Sequence, residues 1–260
     1  MERMEFNPAI APVDYFQIIY ESAELLAINK PAGLVCHPSK SGPMSSLIGR
    51  VRLYLGSEAN PHLVNRLDRE TSGVTLVSKT DAVARELRRL WERREVAKEY
   101  LAIVHGHIME DHGIIDAPLG KDEKSRVAIK DCVRADGLPS QTEFHLEKIF
   151  SKPAADTENK STAFSLLRVR PHTGRKHQIR IHLAHIGHPI VGDKIYGNDE
   201  DLYLALVEGR LNDRDRQTLI LPHHALHAQA VRFSRHGQQT EFSCDPEKWF
   251  IEFHQSEPMK

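Results

Sequence analysis

Asp68 lies between Arg66 and Arg69, with Glu70 two residues on and the Thr71-Ser72 hydroxyls following. A carboxylate in that company can attack carbon as a nucleophile or take a proton as a general base. A guanidinium beside it would keep it charged once water is excluded. Leu63-Val64 leads into the segment, and Gly73 closes it before Val74 to Val77, which read as a mostly buried strand, so it is predicted to be a polar loop held between two strands. Such a loop makes a reactive side chain both rigid and reachable. A plain β-turn with an Asp in its ordinary turn role has the same local composition, and at this level both readings stand. Asp68 and Glu70 could also be read as a glycosidase-like pair. Neighbours two apart in a turn, however, have no assured separation of the roughly 5 Å or 6.5–9.5 Å that glycosidases use.

A second chemistry-bearing stretch holds His172, His177, His182, His185 and His188. His182 and His185 are spaced to share a helical face, which suits metal ligation. There is no His-Glu-x-x-His, so a metal-dependent hydrolase built on residues 172–188 is the weaker reading. The same region is basic: residues 168–194 carry Arg168, Arg170, Arg175, Lys176, Arg180 and Lys194, with Asp193 as the sole acid. That surface fits a polyanion, and it also fits a solvated face.

The elements that must position these groups can be read from periodicity. Strands are predicted over residues 16–20, 25–29, 74–77, 98–104, 142–150, 163–170, 225–233 and 240–243, with short hairpins in 110–140. Helices are predicted over 45–55, from an N-cap at Thr80 to about 94, over 175–186 capped by Thr173, and over 246–253. Val83, Leu87, Leu90 and Trp91 give the second helix an apolar face, and Arg85, Arg88, Arg89 and Arg93 give it a solvated one. The third helix is expected to bury Ile179, Leu183 and Ile186. Residues 1–15 read as an arm, and 39–43 and 151–161 as loops. Strands and helices do not alternate strictly, which favours α+β with a mixed sheet over a doubly wound fold.

The chain has 260 residues, 40% hydrophobic and 27% charged, enough for a sizeable core. With no linker or repeat, one domain over 16–255 is expected. Net charge is −1 with histidine neutral, and the 16 histidines would add roughly +4 near neutrality if unperturbed. Cys36, Cys132 and Cys244 are odd in number and far apart, which argues for a reducing, cytoplasmic setting. No apolar run reaches the roughly 18 residues of a membrane helix, and the first residues do not resemble a signal peptide.

Several segments, in this order, resemble the RluA-type pseudouridine synthases. They are Asn29-Lys30-Pro31-Ala32-Gly33-Leu34-Val35 with His37-Pro38; Arg66-Leu67-Asp68-Arg69-Glu70-Thr71-Ser72-Gly73; Lys98-Glu99-Tyr100-Leu101-Ala102; and Thr173-Gly174-Arg175-Lys176-His177-Gln178-Ile179-Arg180-Ile181-His182 continuing through Gly187-His188-Pro189-Ile190-Val191-Gly192-Asp193. Leu226-His227-Ala228 also matches. The resemblance implies a large mixed, mainly antiparallel sheet flanked by helices, with a cleft across it. It implies Asp68 as the catalytic carboxylate, Tyr100 as a ring that stacks on the uracil, Arg180 as the basic partner of the aspartate and Leu226 as an apolar wall. Before the resemblance is counted, Tyr100 reads as a core tyrosine and Arg180 as a surface helix arginine.

One position departs from the family pattern: Asn65 stands where a histidine usually precedes Arg-Leu-Asp. The first motif begins at Asn29, so no separate RNA-binding domain is expected ahead of it. Lys30, Arg66, Arg69, Arg175 and Lys176 are candidates for phosphate contacts, with Asn65 at the substrate. The implied reaction breaks the N1–C1′ bond of uridine and rejoins the base through C5, which needs no metal, redox partner or coenzyme. The implied partner is ribosomal or transfer RNA, with the protein acting as a monomer, without a membrane or an obligate protein partner. A non-catalytic RNA-binding module is the rival, and the intact Asp68, Tyr100 and Arg180 argue against it.

Overall fold

The structure, a computed structural model, describes residues 16–37, 42–56, 58–153, 161–197 and 199–255. The expected arm at 1–15 and most of the two expected loops lie outside the described residues. The architecture is mixed α+β, with a large, mostly antiparallel sheet flanked by helices. The chain divides into two compact units, Met1–Lys98 with Ala228–Glu247 and Glu99–His227 with Lys248–Lys260. Neither unit is contiguous in sequence. The backbone passes from one to the other inside β5, inside β11 and at the start of α6, which is why no Gly- or Pro-rich linker marks a boundary.

The first unit begins with β1 (Gln17–Glu21) and β2 (Leu25–Lys30), followed by α1 (Leu47–Leu55), β3 (His62–Leu63), β4 (Ser72–Ser78) and α2 (Asp81–Glu92). β4 pairs antiparallel with both β2 and β3. Every residue of β4 is buried, Ser72, Thr75 and Ser78 included, so its sequence shows no clean alternation of polar and apolar positions. Thr80 caps α2 as expected, its hydroxyl accepting the Val83 N–H. Val83 and Leu87 turn inward onto Leu25, Ala27, Val74 and Leu76. Each such aliphatic side chain contributes about 1.5–3 kcal/mol by leaving water.

The second unit takes up β5 (Val96–His105) from Glu99 onward. It continues with β6 (His112–Asp116), β7 (Leu119–Lys121), β8 (Asp131–Val133), β9 (Gln141–Pro153), β10 (Ser161–Pro171) and α3 (Gln178–His185). Two short helices, α4 (Asp201–Val207) and α5 (Asp213–Leu219), precede β11 (Leu226–Arg235), β12 (Gln238–Ser243) and α6 (Lys248–Gln255). β11 and β12 form a hairpin whose paired residues lie in the first unit. Within the second unit, β5, β10, β9 and β6 lie side by side in that order. Its core gathers Ile103, Val104, Leu167, Val169, Leu183 and Phe250.

Two local expectations are corrected. The third helix starts at Gln178, not Arg175, and Thr173 does not cap it: its N-cap residue is His177, in a left-handed conformation with no side-chain cap bond. Thr173 instead donates its hydroxyl to Gln178 Oε1, which also accepts the Arg175 N–H. Ile186 is partly exposed rather than part of the buried face.

Candidate functional site

The loop that carries Asp68 is tied to the first unit at successive points. β3 ends at Leu63, and the Val64 N–H still reaches Leu76 O. At Asn65 the side chain takes over from the main chain. Its Oδ1 accepts the Leu76 N–H at 2.7 Å, and its Nδ2 donates to Val74 O at 3.2 Å. An amide thus completes the ladder to β4 while the backbone leaves the sheet. Leu67, buried, exchanges contacts with the Cys36 thiol through both its N–H and its carbonyl, each at 3.4 Å. The Thr71 N–H donates to Asp68 O, closing a turn. Gly73 then re-enters β4 at φ 112°, where a side chain would run into the Ala228 carbonyl. Asp68 itself is half-buried, and Arg66 and Arg69 are exposed beside it.

Lys30 is not available as a phosphate contact. Its side chain is fully buried, and its ammonium donates to Pro31 O, Leu34 O and Arg69 O at 2.9, 2.8 and 3.1 Å. All three N–H groups are spent on backbone, one of them on the residue after Asp68. Burial pushes its pKa down to about 8, against the opposing pull of Cys36, Glu247 and Asp68. Arg69 Nε adds a bond to Gly33 O, so the Lys30–Gly33 turn and the Asp68 loop brace one another.

Tyr100 and Arg180 belong to the second unit. Tyr100 is half-buried on β5, in register with Val169 of β10 and packed against the core. Arg180 sits on α3 and is buried, not on the surface. Its Nε and Nη2 bind the two oxygens of Asp193 at 2.6 and 2.9 Å, a planar fork on a carboxylate. Burial alone would raise the Asp193 pKa. The Arg180 charge and hydrogen bonds, aided by His224 and the Tyr196 N–H, hold it well below the usual carboxylate range. Leu226 is buried in the same unit's core at the start of β11.

Arg175 is half-buried and Lys176 exposed. Both line an open cavity of about 470 Å³ together with Lys121, Arg134, Asp131 and Asp136. Lys176 pairs with Asp131 at 2.8 Å, and Arg134 pairs with Asp136 and Glu123, so the four cations here are only partly offset.

The histidine stretch does not assemble a metal centre. His182 is fully buried and uses Nδ1 on the Thr142 hydroxyl and Nε2 on Ala117 O. Burial lowers its pKa, against the opposing hydrogen bond to Ala117 O. Among the described residues, no group of three or more His, Cys, Asp or Glu could hold a metal ion. No helix among them is long and apolar enough to cross a membrane.

Sequence reasoning missed the structural uses of Lys30, Cys36 and Asp193. Only Asp193 carried a signal, as the lone acid in a basic stretch.

Residues 24–185 match the family described as RNA pseudouridylate synthase. The chain is similar to the dual-specificity RNA pseudouridine synthase RluA of Salmonella typhimurium, 38% identical over 77% of this chain and 84% of that protein. It is also similar to the ribosomal large subunit pseudouridine synthase D of Escherichia coli, 34% identical over 75% of this chain and 56% of that one. An uncharacterized RNA pseudouridine synthase of Aquifex aeolicus is 34% identical over 75% of this chain, which spans 60% of that protein's length. Among solved structures, human RNA pseudouridylate synthase domain containing 1 superposes with a TM-score of 0.69 at 25% identity, over 90% of this chain and 84% of that one.

Proposed function

Because the chain belongs to the RNA pseudouridylate synthase family, we propose that it isomerises uridine in structured RNA to pseudouridine, with Asp68 as the catalytic carboxylate. The observation that carries this reading is the loop around Asp68. Asn65, Leu67, Arg69 and Thr71 are each hydrogen-bonded to backbone or to a buried side chain, and the aspartate they frame is half-buried. A β-turn of no function has no need of a fully buried lysine beneath it.

In the proposed reaction the N1–C1′ bond breaks, the uracil turns, C5 bonds to C1′, and the C5 proton is released as N1 regains one. Atoms balance without an oxidant or co-substrate. Asp68 serves either as a nucleophile at C1′ or the base, or as the base that removes a sugar proton to give a glycal. Arg180 is assigned to keeping the aspartate ionised as the base covers it. Tyr100 is assigned to stacking on the extruded uracil, offsetting part of the few kcal/mol that flipping costs. Leu226 is assigned to the apolar wall. Arg66, Arg69, Arg175 and Lys176 are assigned to phosphates.

The synthase D relative is named for the ribosomal large subunit, and the sequence resemblance implies ribosomal or transfer RNA, so these are the substrates to test first. A monomer acting in the cytoplasm without coenzyme completes the proposal. RNA from cells lacking the protein is incubated with wild type or with Asp68→Asn in the presence of EDTA, and pseudouridine is mapped by carbodiimide-dependent reverse-transcription stops. Wild type is expected to install a mark that Asp68→Asn does not. The same mark from both proteins would remove Asp68 from catalysis, and binding without any mark would make the protein an RNA-binding module.

A further inference from the structure

We infer that Asp193 and Tyr196 are positioning residues that lock the Arg180 guanidinium in one place and one plane, an assignment that rests on the catalytic role proposed for Arg180. Arg180 is held on two sides. In its plane, Nε and Nη2 grip Asp193 Oδ2 and Oδ1. On another side it sits over the Tyr196 ring, with the guanidinium carbon 5.0 Å from the ring centroid, within cation–π range.

Both supports are themselves fixed. Asp193 Oδ1 also accepts the N–H groups of Ile195 and Tyr196 at 2.9 and 3.0 Å, so the carboxylate cannot rotate away without losing two further bonds. The Tyr196 oxygen accepts the Asp131 N–H at 3.2 Å and lies 2.8 Å from His177 Nδ1, to which its hydroxyl can donate. His177 is the residue with φ 56° that starts α3, so the same phenol steadies the strained turn from which the arginine's helix departs. The chain around Asp193 and Tyr196 therefore closes a circuit: helix start, ring, guanidinium, carboxylate and back to the ring's own backbone.

A structural ion pair would need only the carboxylate. The ring beneath it adds nothing to charge neutralisation, but it limits the freedom of the guanidinium to move. That freedom matters where a cation must lie within about 1 Å of a set place to act on a reacting group. Lysine could not replace it, having no plane to fork or to stack.

The test compares wild type with Arg180→Gln, Asp193→Asn, Tyr196→Phe and Tyr196→Leu. It measures single-turnover pseudouridine formation on prebound RNA across pH, with RNA affinity and melting temperature alongside. Arg180→Gln is expected to lose about 10²–10³-fold in rate. Tyr196→Leu, which removes the ring, is expected to lose about tenfold or more with RNA affinity unchanged. Tyr196→Phe keeps the ring but gives up the hydroxyl's contacts with Asp131 and His177, and its rate should fall between wild type and Tyr196→Leu. The acid limb of the rate–pH profile should move to higher pH in Tyr196→Leu, because a loosened guanidinium keeps Asp68 ionised less well. If Asp193→Asn does not fold, the Tyr196 pair decides alone. Normal rate and an unmoved acid limb in Tyr196→Leu, with only a lower melting temperature, would overturn the inference and leave Arg180 catalytic. A normal rate in Arg180→Gln would overturn both assignments.

Discussion

Two buried charges show what single residues reveal and conceal. Lys30 was legible as a basic residue in a family motif, and its type alone suggested a phosphate contact. Its actual work, three bonds to backbone carbonyls under the Asp68 loop, depends on a burial that no local pattern announces. Lys30→Met would leave those carbonyls unsatisfied and is expected to cost about 3 kcal/mol, read from urea unfolding. Titration adds a sign. The folded pKa of about 8 lies below a lysine's ordinary value of 10.5, so between the two the unfolded chain binds more protons and stability rises with pH. Measured against Lys30→Met, which does not titrate there, the wild-type advantage should therefore grow from pH 8 to 10. A shrinking advantage would mean the ammonium is not strained by burial. Asp193 runs the other way. Its carboxyl is held below its ordinary value of 3.8, so its contribution is complete above about pH 4 and is lost as the pH falls through the lower folded value. Asp193→Asn should flatten the acid limb of a stability–pH curve.

Elements were legible where one face is apolar and a short polar residue opens them. Thr80 and the Val83–Leu87 stripe announced α2, and Thr80→Ala should lower stability by about 1 kcal/mol through the lost cap. α3 obeys different rules. Gln178, Ile179, Arg180, Ile181, His182 and Leu183 are all buried, so a search for one apolar face finds only part of what is inside. Three of those six are polar, and partners distant in sequence satisfy them: Asp193 for Arg180, Thr142 and Ala117 for His182, and Gln141 and Thr142 for Gln178. The displaced helix start has the same origin, since the Gln178 side chain takes the Thr173 hydroxyl and the Arg175 N–H and so supplants the cap expected at Thr173. Gln178→Leu should therefore destabilise by about 2–3 kcal/mol despite its gain in hydrophobicity, because it strands several buried polar groups. Denaturant titration showing a neutral or stabilising change would mean those groups find water.

At the scale of the molecule, the chain crosses between the two units three times, inside β5, inside β11 and at the start of α6, and composition could not have shown it because none of these crossings is a linker. Charge, by contrast, is visible in composition, and it sets how RNA should bind. A net charge of −1 gives no long-range attraction, so affinity has to come from local cations. Arg175 and Lys176 beside the cavity they share with Lys121 and Arg134 supply one such group. Each phosphate neutralised releases counterions and steepens the fall of log K with log salt by about 0.7 on single strands to 0.9 on duplex. Arg175→Gln with Lys176→Gln should then reduce that slope by roughly 1 to 2, weakening binding more at 50 than at 200 mM salt. Lys176 is the weaker half of the pair, since binding RNA requires it to give up Asp131. Asp131→Asn should accordingly strengthen RNA binding, the opposite of what removing a structural ion pair would do. The two slopes, measured by filter binding of one RNA across salt, check both changes together. Equal slopes in wild type and the double variant would place the phosphates elsewhere on the protein.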